Sequence, residues 1–137
     1  MPETYDDYHK VLTTFKNQLG ANAAMHMGSS GVLTGNYFCS GFGINGYVSM
    51  MDAPFYQVDG EVKFGPIQPE FKDYLTMMNQ WYNEGLLSDS FLTSQAEVLM
   101  DFSTILSGDT GVWCGSGTQS ITQLLSMAAE SQPDMRI

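Results

Sequence analysis

Three amphipathic stripes, each closed by a glycine, constrain this chain more than any other feature. Tyr5, Tyr8, Leu12, Phe15 and Leu19 recur at helical spacing before Gly20. Phe71, Tyr74, Leu75, Met78, Trp81 and Tyr82 do so before Gly85, and Val98, Leu99, Phe102, Ile105 and Leu106 before Gly108. A fourth stripe, Ile121, Leu124, Leu125 and Ala128, follows the turn Gly115-Ser116-Gly117-Thr118. Short apolar runs at residues 22–27 and 111–114 read as buried strands. Helices dominate and strands are few, so the pattern predicts a helix-rich α/β domain with a small sheet.

Local signals place the boundaries. Thr4 is a candidate N-cap with Asp7 three residues on, which starts a helix over 4–19. Proline is tolerated in a first helical turn, so Gln68-Pro69-Glu70 opens the second helix. Leu86 and Leu87 are placed to pack back on its last turn. Ser94-Gln95-Ala96-Glu97 has the form of a capping box for the third. Asp59-Gly60 suits a two-residue turn with positive φ, so 55–58 and 61–64 form a β-hairpin, ended by Gly65-Pro66. The Gly-rich stretch 28–46 is the least legible; a helix through 32–38 is weakened by Gly35.

Composition narrows the function classes. The chain has 137 residues, 43% apolar and 12% aromatic, enough for one domain with a core and too apolar for disorder. Five Lys+Arg against 15 Asp+Glu give a formal charge of −10, which repels nucleic acid and anionic membrane surfaces. No apolar run approaches the ~20 residues of a membrane span. Met1-Pro2-Glu3 runs straight into a helix start, with no signal peptide before it. Pro133-Asp134-Met135-Arg136-Ile137 reads as the opening of a strand, the pattern expected of a fragment.

Catalytic and metal constellations are absent from the pattern. Cys39 and Cys114 are too few for a disulfide scaffold and fit no metal-ligand spacing. His9 falls on the polar side of the first helix and reads as solvated; His26 alternates with Met25 and Met27 in a strand, as a packed or cleft-lining residue. No second ligand lies at metal spacing, so no metal or cofactor is expected. Ten methionines invite a copper reading, but Met77, Met78, Met100 and Met127 lie on or beside apolar stripes, where gap-filling suffices. Ser29, Ser30 and Ser116 sit in Gly-rich turns, without a G-x-S-x-G elbow. Gly115-Ser116-Gly117 offers backbone N–H groups before a helix, for an anion or hydroxyl or simply as a turn. Trp113 ends a short strand just before that turn, where α/β proteins place ligands. Its indole fits a sugar-stacking platform and a core tryptophan equally well on spacing alone.

The order of segments resembles the extracellular solute-binding proteins of ABC importers, the sugar-binding family that includes maltose-binding protein. Pro2-Glu3-Thr4-Tyr5-Asp6-Asp7-Tyr8 resembles that family's "P-x-T-W-x-E" helix start. Residues 56–64 resemble its "y-v-d-G-k-v" hairpin, and 69–91 its "e-G-l-i-d-p-d-f" helix and turn. Leu106-Ser107-Gly108-Asp109-Thr110-Gly111-Val112-Trp113 resembles "G-k-a-a-m-x-x-G-p-W". Tyr5 stands for the usual Trp and Val112 for Pro, Gly115 follows where a second aromatic often stands, and residues 28–52 have no close counterpart.

The resemblance implies a helix-rich lobe of a type II periplasmic-binding-protein-like fold, with residues 1–137 as one domain forming most of the second lobe. It implies non-catalytic capture of a small solute, an oligosaccharide, outside the cytoplasmic membrane. Delivery would be to ABC permease subunits by a full-length protein carrying a lipid anchor. Trp113 matches the cleft tryptophan, Ser29 and Ser30 follow the first strand as polar contacts, and His26, Cys114, Gly115 and Ser116 are second-rank candidates by position. An isolated lobe would expose its lobe-facing surface and could dimerise. Two other classes stay open: a self-contained interaction domain, and a small hydrolase using Cys114 or a serine.

Overall fold

A computed structural model describes residues 1–27, 38–46, 54–89, 102–113 and 120–131. Helix α1 (Tyr5–Leu19) starts at the expected capping box: the Asp7 N–H donates to Thr4 Oγ1 at 3.2 Å, and the Thr4 N–H donates to Asp7 Oδ2 at 3.3 Å. Such a cap is worth about 1 kcal/mol. Gly20 takes φ 74° behind α1, and Gly85 and Gly108 take φ 68° and 81° behind later helices, so all three glycines that close a stripe are left-handed. Strand β1 (Ala23–His26) follows, then a 3-10 turn, Cys39–Phe42. The expected helix over 32–38 lies outside the described residues apart from Phe38, which precedes that turn in a non-helical conformation.

The hairpin forms as β2 (Phe55–Val58) and β3 (Glu61–Phe64), antiparallel, with Phe55 opposite Phe64. Asp59 and Gly60 both hold positive φ, 51° and 85°, the backbone a tight hairpin turn requires. A 3-10 turn, Gly65–Ile67, leads into α2 (Pro69–Asn83). Helix α3 (Phe102–Leu106), strand β4 (Thr110–Trp113) and helix α4 (Ser120–Ser131) complete the described elements. The capping box at 94–97 lies outside them.

Strands β1 and β4 pair in parallel, with Ala23 opposite Thr110, Met25 opposite Val112 and His26 opposite Trp113. On its other side β1 bonds a segment not expected to be a strand. The Met25 N–H donates to the Leu86 carbonyl at 2.8 Å, and the Ser88 N–H donates to the Met25 carbonyl at 3.0 Å. Three parallel segments thus lie side by side with β1 in the middle. The fold is mixed, helices with small sheets, in the broad α/β class.

Alternation along the strands sorts their residues by face. Ala24 and Gly111 share the face that α1 covers, because a Cβ on Gly111 would sit inside the Phe15 ring. Below, an aromatic cluster joins α1, the Cys39–Phe42 turn and α2. Tyr5 stacks on Phe42 at 5.0 Å, Tyr8 meets Phe38 edge-on at 5.4 Å, and Phe38 meets Trp81 edge-on at 5.8 Å. The Tyr5 hydroxyl also donates to the Phe38 carbonyl. Leu12, Met25, Met27, Tyr74, Met78, Leu86 and Leu87 fill the space between them. Burial pushes the Tyr74 hydroxyl well above its ordinary titration range and raises the Cys39 thiol.

Several expectations are corrected here. Leu75, Leu125 and Met127 are exposed, because only one side of α2 and of α4 meets the core. Met78 does fill the core, with Met25 and Met27, whereas Met100 lies outside the described residues. Cys39 is a buried free thiol. His9 is partly exposed, as its place on the polar side of α1 implies, but it also has a partner. Its Nε2 pairs with Glu84 Oε2 at the end of α2, and its ring lies 6.5 Å from that of Trp81.

Glu84 also accepts from Gln80 Nε2 at 2.8 Å, and its backbone carbonyl accepts from Lys16 Nζ. Hydrogen bonds from Gln80 and His9 hold the Glu84 carboxyl below its usual range, and those involving Thr4 and the Glu3 backbone do the same for Asp7. A carboxyl depressed in the folded state contributes stability above its unfolded pKa and loses it as pH falls through the folded value. Stability should therefore hold above about pH 5 and decline below about pH 4. In denaturant titrations at stepped pH, Glu84→Gln should make that decline shallower. An unchanged slope would remove Glu84 from it.

Candidate functional site

The two ends of the parallel strands differ. At the amino end Asp109 forms a knot: Oδ1 accepts from Asn22 Nδ2 at 2.7 Å, and Oδ2 from the Ser107 hydroxyl at 2.9 Å. Its backbone carbonyl accepts from the Ala23 N–H at 3.1 Å. Thr110 Oγ1 bonds Thr104 Oγ1 at 3.3 Å and ties α3 to the start of β4. This end is filled by the protein's own hydrogen bonds.

The carboxyl end presents larger side chains. His26 closes β1 and Trp113 closes β4, and the two are register partners. Partners in a parallel pair project to the same face, so imidazole and indole share that face. Both are half-buried. The Trp113 indole rests against the Phe102 ring at 6.2 Å and 87°, an edge-to-face contact that fixes the ring plane while part of its surface stays in solvent. Small residues make this position available. Gly111 and Ala24, one alternation back on the same face, let Phe15 lie flat against the strands.

Of the seven residues nominated from sequence, the structure therefore brings two together, Trp113 and His26. Ser29, Ser30, Cys114, Gly115 and Ser116 lie outside the described residues.

Sequence reasoning missed the segment on the other side of β1. The isolated bridge between Met25 and Leu87 brings residues 86–88 against β1, where the Ser88 N–H donates to the Met25 carbonyl. A run of two apolar residues is too short to read as a strand. The available signal was a helix stop, Gly85, followed by a fully apolar pair and then a polar residue.

Among the described residues no cluster of His, Cys, Asp and Glu is arranged to hold a metal ion. None of their helices is long and apolar enough to cross a membrane. Comparison of the chain with protein-family models, with curated proteins and with solved structures returns no match.

Proposed function

We propose that this chain is the second lobe of an extracytoplasmic solute-binding protein, which captures an oligosaccharide without catalysis for import through an ABC transporter. The observation that carries the proposal is the half-exposed Trp113 indole at the carboxyl end of β4, braced by Phe102 and flanked by His26. An indole held by an edge contact offers a flat apolar surface to the C–H face of a pyranose ring at little cost in rotamer entropy. An imidazole beside it supplies a hydrogen-bonding group for ring hydroxyls. The carboxyl ends of parallel strands are where open α/β sheets hold ligands.

In this reading the opposing lobe closes over the ligand and the closed form docks on the permease subunits. The same resemblance to solute-binding proteins nominates Ser29, Ser30, Cys114, Gly115 and Ser116 as further ligand contacts. The full-length protein acts at the cell surface or in the periplasm, held by a lipid anchor.

Tryptophan fluorescence tests the proposal directly, because the chain has two tryptophans and Trp81 is buried. Titration with a panel of mono- and oligosaccharides should give a saturable change for at least one sugar. Trp113→Ala should weaken that binding by about tenfold or more. Binding that survives the substitution unchanged would remove Trp113 from the site. No response to any sugar would favour a protein-interaction domain, a second reading supported by the exposed Phe55, Val62 and Ile67 around the hairpin.

A further inference from the structure

We infer that the outer edge of β3 pairs with the same edge of a second copy of this chain, so that two hairpins join into one four-stranded antiparallel sheet. The inference is independent of the solute-binding reading and of Trp113. It starts from the backbone groups that the hairpin leaves unused. The Gly65 N–H donates to the Pro54 carbonyl at 2.9 Å, which makes residues 54 and 65 a bonded pair. Bonded and non-bonded pairs alternate along an antiparallel ladder, so 56 with 63 and 58 with 61 are bonded and 57 with 62 is not. The N–H and C=O of Val62 therefore point away from β2. Further along that edge the Phe64 carbonyl accepts from Gln68 Nε2 at 3.0 Å, and on the β2 edge the Phe55 carbonyl accepts from Asn45 Nδ2 at 3.4 Å. Val62 has no such cap among the described residues, and it is 72% exposed.

The charges on this edge identify the occupant. Glu61 and Lys63 flank Val62 and, by alternation, share the face opposite to its side chain. Neither has an ionic partner among the described residues. Antiparallel pairing of β3 with its copy about a two-fold axis at Val62 sets Val62 opposite Val62, Glu61 opposite Lys63 and Lys63 opposite Glu61. The Val62 pair is then the bonded one, with two backbone hydrogen bonds. Both Glu-Lys pairs fall at non-bonded positions, where side chains stand closer. A guard of one sign on an edge repels a copy; here the two signs are placed to match. A chain with a formal charge of −10 needs such a local match, because two copies otherwise repel. A two-stranded hairpin is marginal by itself, and a sheet of four strands with an apolar face is not. Phe55, Val62 and Phe64 supply that face, turned away from Tyr56, which packs on the core; the Phe55 and Phe64 ring centroids are 5.1 Å apart. Pairing sets the two Val62 side chains against each other and carries the apolar band across the junction.

Sedimentation equilibrium of the whole chain from about 10 μM to about 1 mM should show a monomer–dimer equilibrium with a Kd of about 0.1 mM, a weak association suited to so short an edge. Glu61→Lys sets Lys opposite Lys, and Lys63→Glu sets Glu opposite Glu; each should raise that Kd about tenfold. The double variant Glu61→Lys/Lys63→Glu remakes both pairs and should return Kd to within about threefold of the parent. The two single variants move the net charge in opposite directions, so general repulsion between copies would give them opposite effects. Val62→Pro removes an N–H that the hairpin itself does not use and should abolish the dimer. If Val62→Pro fails to fold by far-UV circular dichroism, the charge swaps alone decide. A parent chain that is monomeric at about 1 mM would overturn the inference and leave this edge to an extended segment of another protein. A dimer that withstands a folded Val62→Pro, or single swaps that the double swap does not rescue, would overturn it too, because the copies would then meet elsewhere.

Discussion

Trp81→Ala should destabilise the protein by about 3–5 kcal/mol, the largest loss expected from any single truncation of the core. Trp81 is 2% exposed, so its removal leaves a cavity in a packed region. Its ring meets Phe38 edge-on at 5.8 Å and lies against His9 at 6.5 Å, so three elements lose a shared partner. The cavity cannot readily collapse. The Trp81 carbonyl accepts from the Leu86 N–H at 2.9 Å, and Leu86 is itself bonded to β1, which holds the backbone in place. Urea unfolding followed by far-UV circular dichroism should show a lower midpoint with an unchanged slope. Trp81→Phe should recover part of the loss, because a ring remains for Phe38. A shift below 1 kcal/mol in the alanine variant would mean that the cluster repacks and that Trp81 is not its keystone.

A comparable effect is expected from adding one carbon. A Cβ on Gly65 would fall on the backbone carbonyl of Asn45. The Gly65 N–H donates to the Pro54 carbonyl at 2.9 Å, so the residue is gripped from two sides. Neither neighbour is the end of a flexible side chain, so the chain must move at 45, at 54 or at the start of α2. Overpacking of this kind costs about 1–3 kcal/mol, and more when backbone has to shift. Gly65→Ala should therefore lower the thermal midpoint by about 5–10 °C. Gly60→Ala, where nothing lies within 4 Å, is the matched comparison: its cost comes only from the φ of 85° and not from contact. Equal losses at the two positions would show that space around Gly65 is not limiting.

The parts of the fold legible in the sequence are those decided within a few residues. Thr4 and Asp7 cap α1 because both partners lie in one turn. Asp59-Gly60 turns the hairpin because both φ values are set locally. The parts that were not legible depend on partners far along the chain. His9 looks solvated on the helical wheel, and only the approach of Glu84 from α2 gives it a partner. Leu75 and Leu125 belong to apolar stripes, but the stripe is wider than the surface available to cover it. Residues 86–88 become a strand neighbour only because β1 offers them hydrogen bonds.

The same division runs through the candidate site. Trp113 and His26 were each marked by their place at a strand end, which is a local property. Their adjacency was not, because the register between β1 and β4 is set by packing: Phe15 must find Gly111 and Asn22 must find Asp109. The docking of residues 86–88 on β1 was hidden for the same reason.

The middle position of β1 also bears on how the protein is made. Asn22 and Asp109, which fasten the amino ends of β1 and β4, are 87 residues apart. At a synthesis rate of 5–20 residues per second, β1 leaves the ribosome about 4–17 s before β4 does. Its first neighbour, 86–88, arrives only late in that interval. A short apolar strand with both hydrogen-bonding edges open is exposed to wrong pairing throughout. Among the described elements α1 alone is complete before β1 emerges and can shield that strand from the start, and it covers only a face, not an edge. Folding yield during synthesis should thus depend on translation speed between residues 27 and 110 more than on any contact within α1 itself.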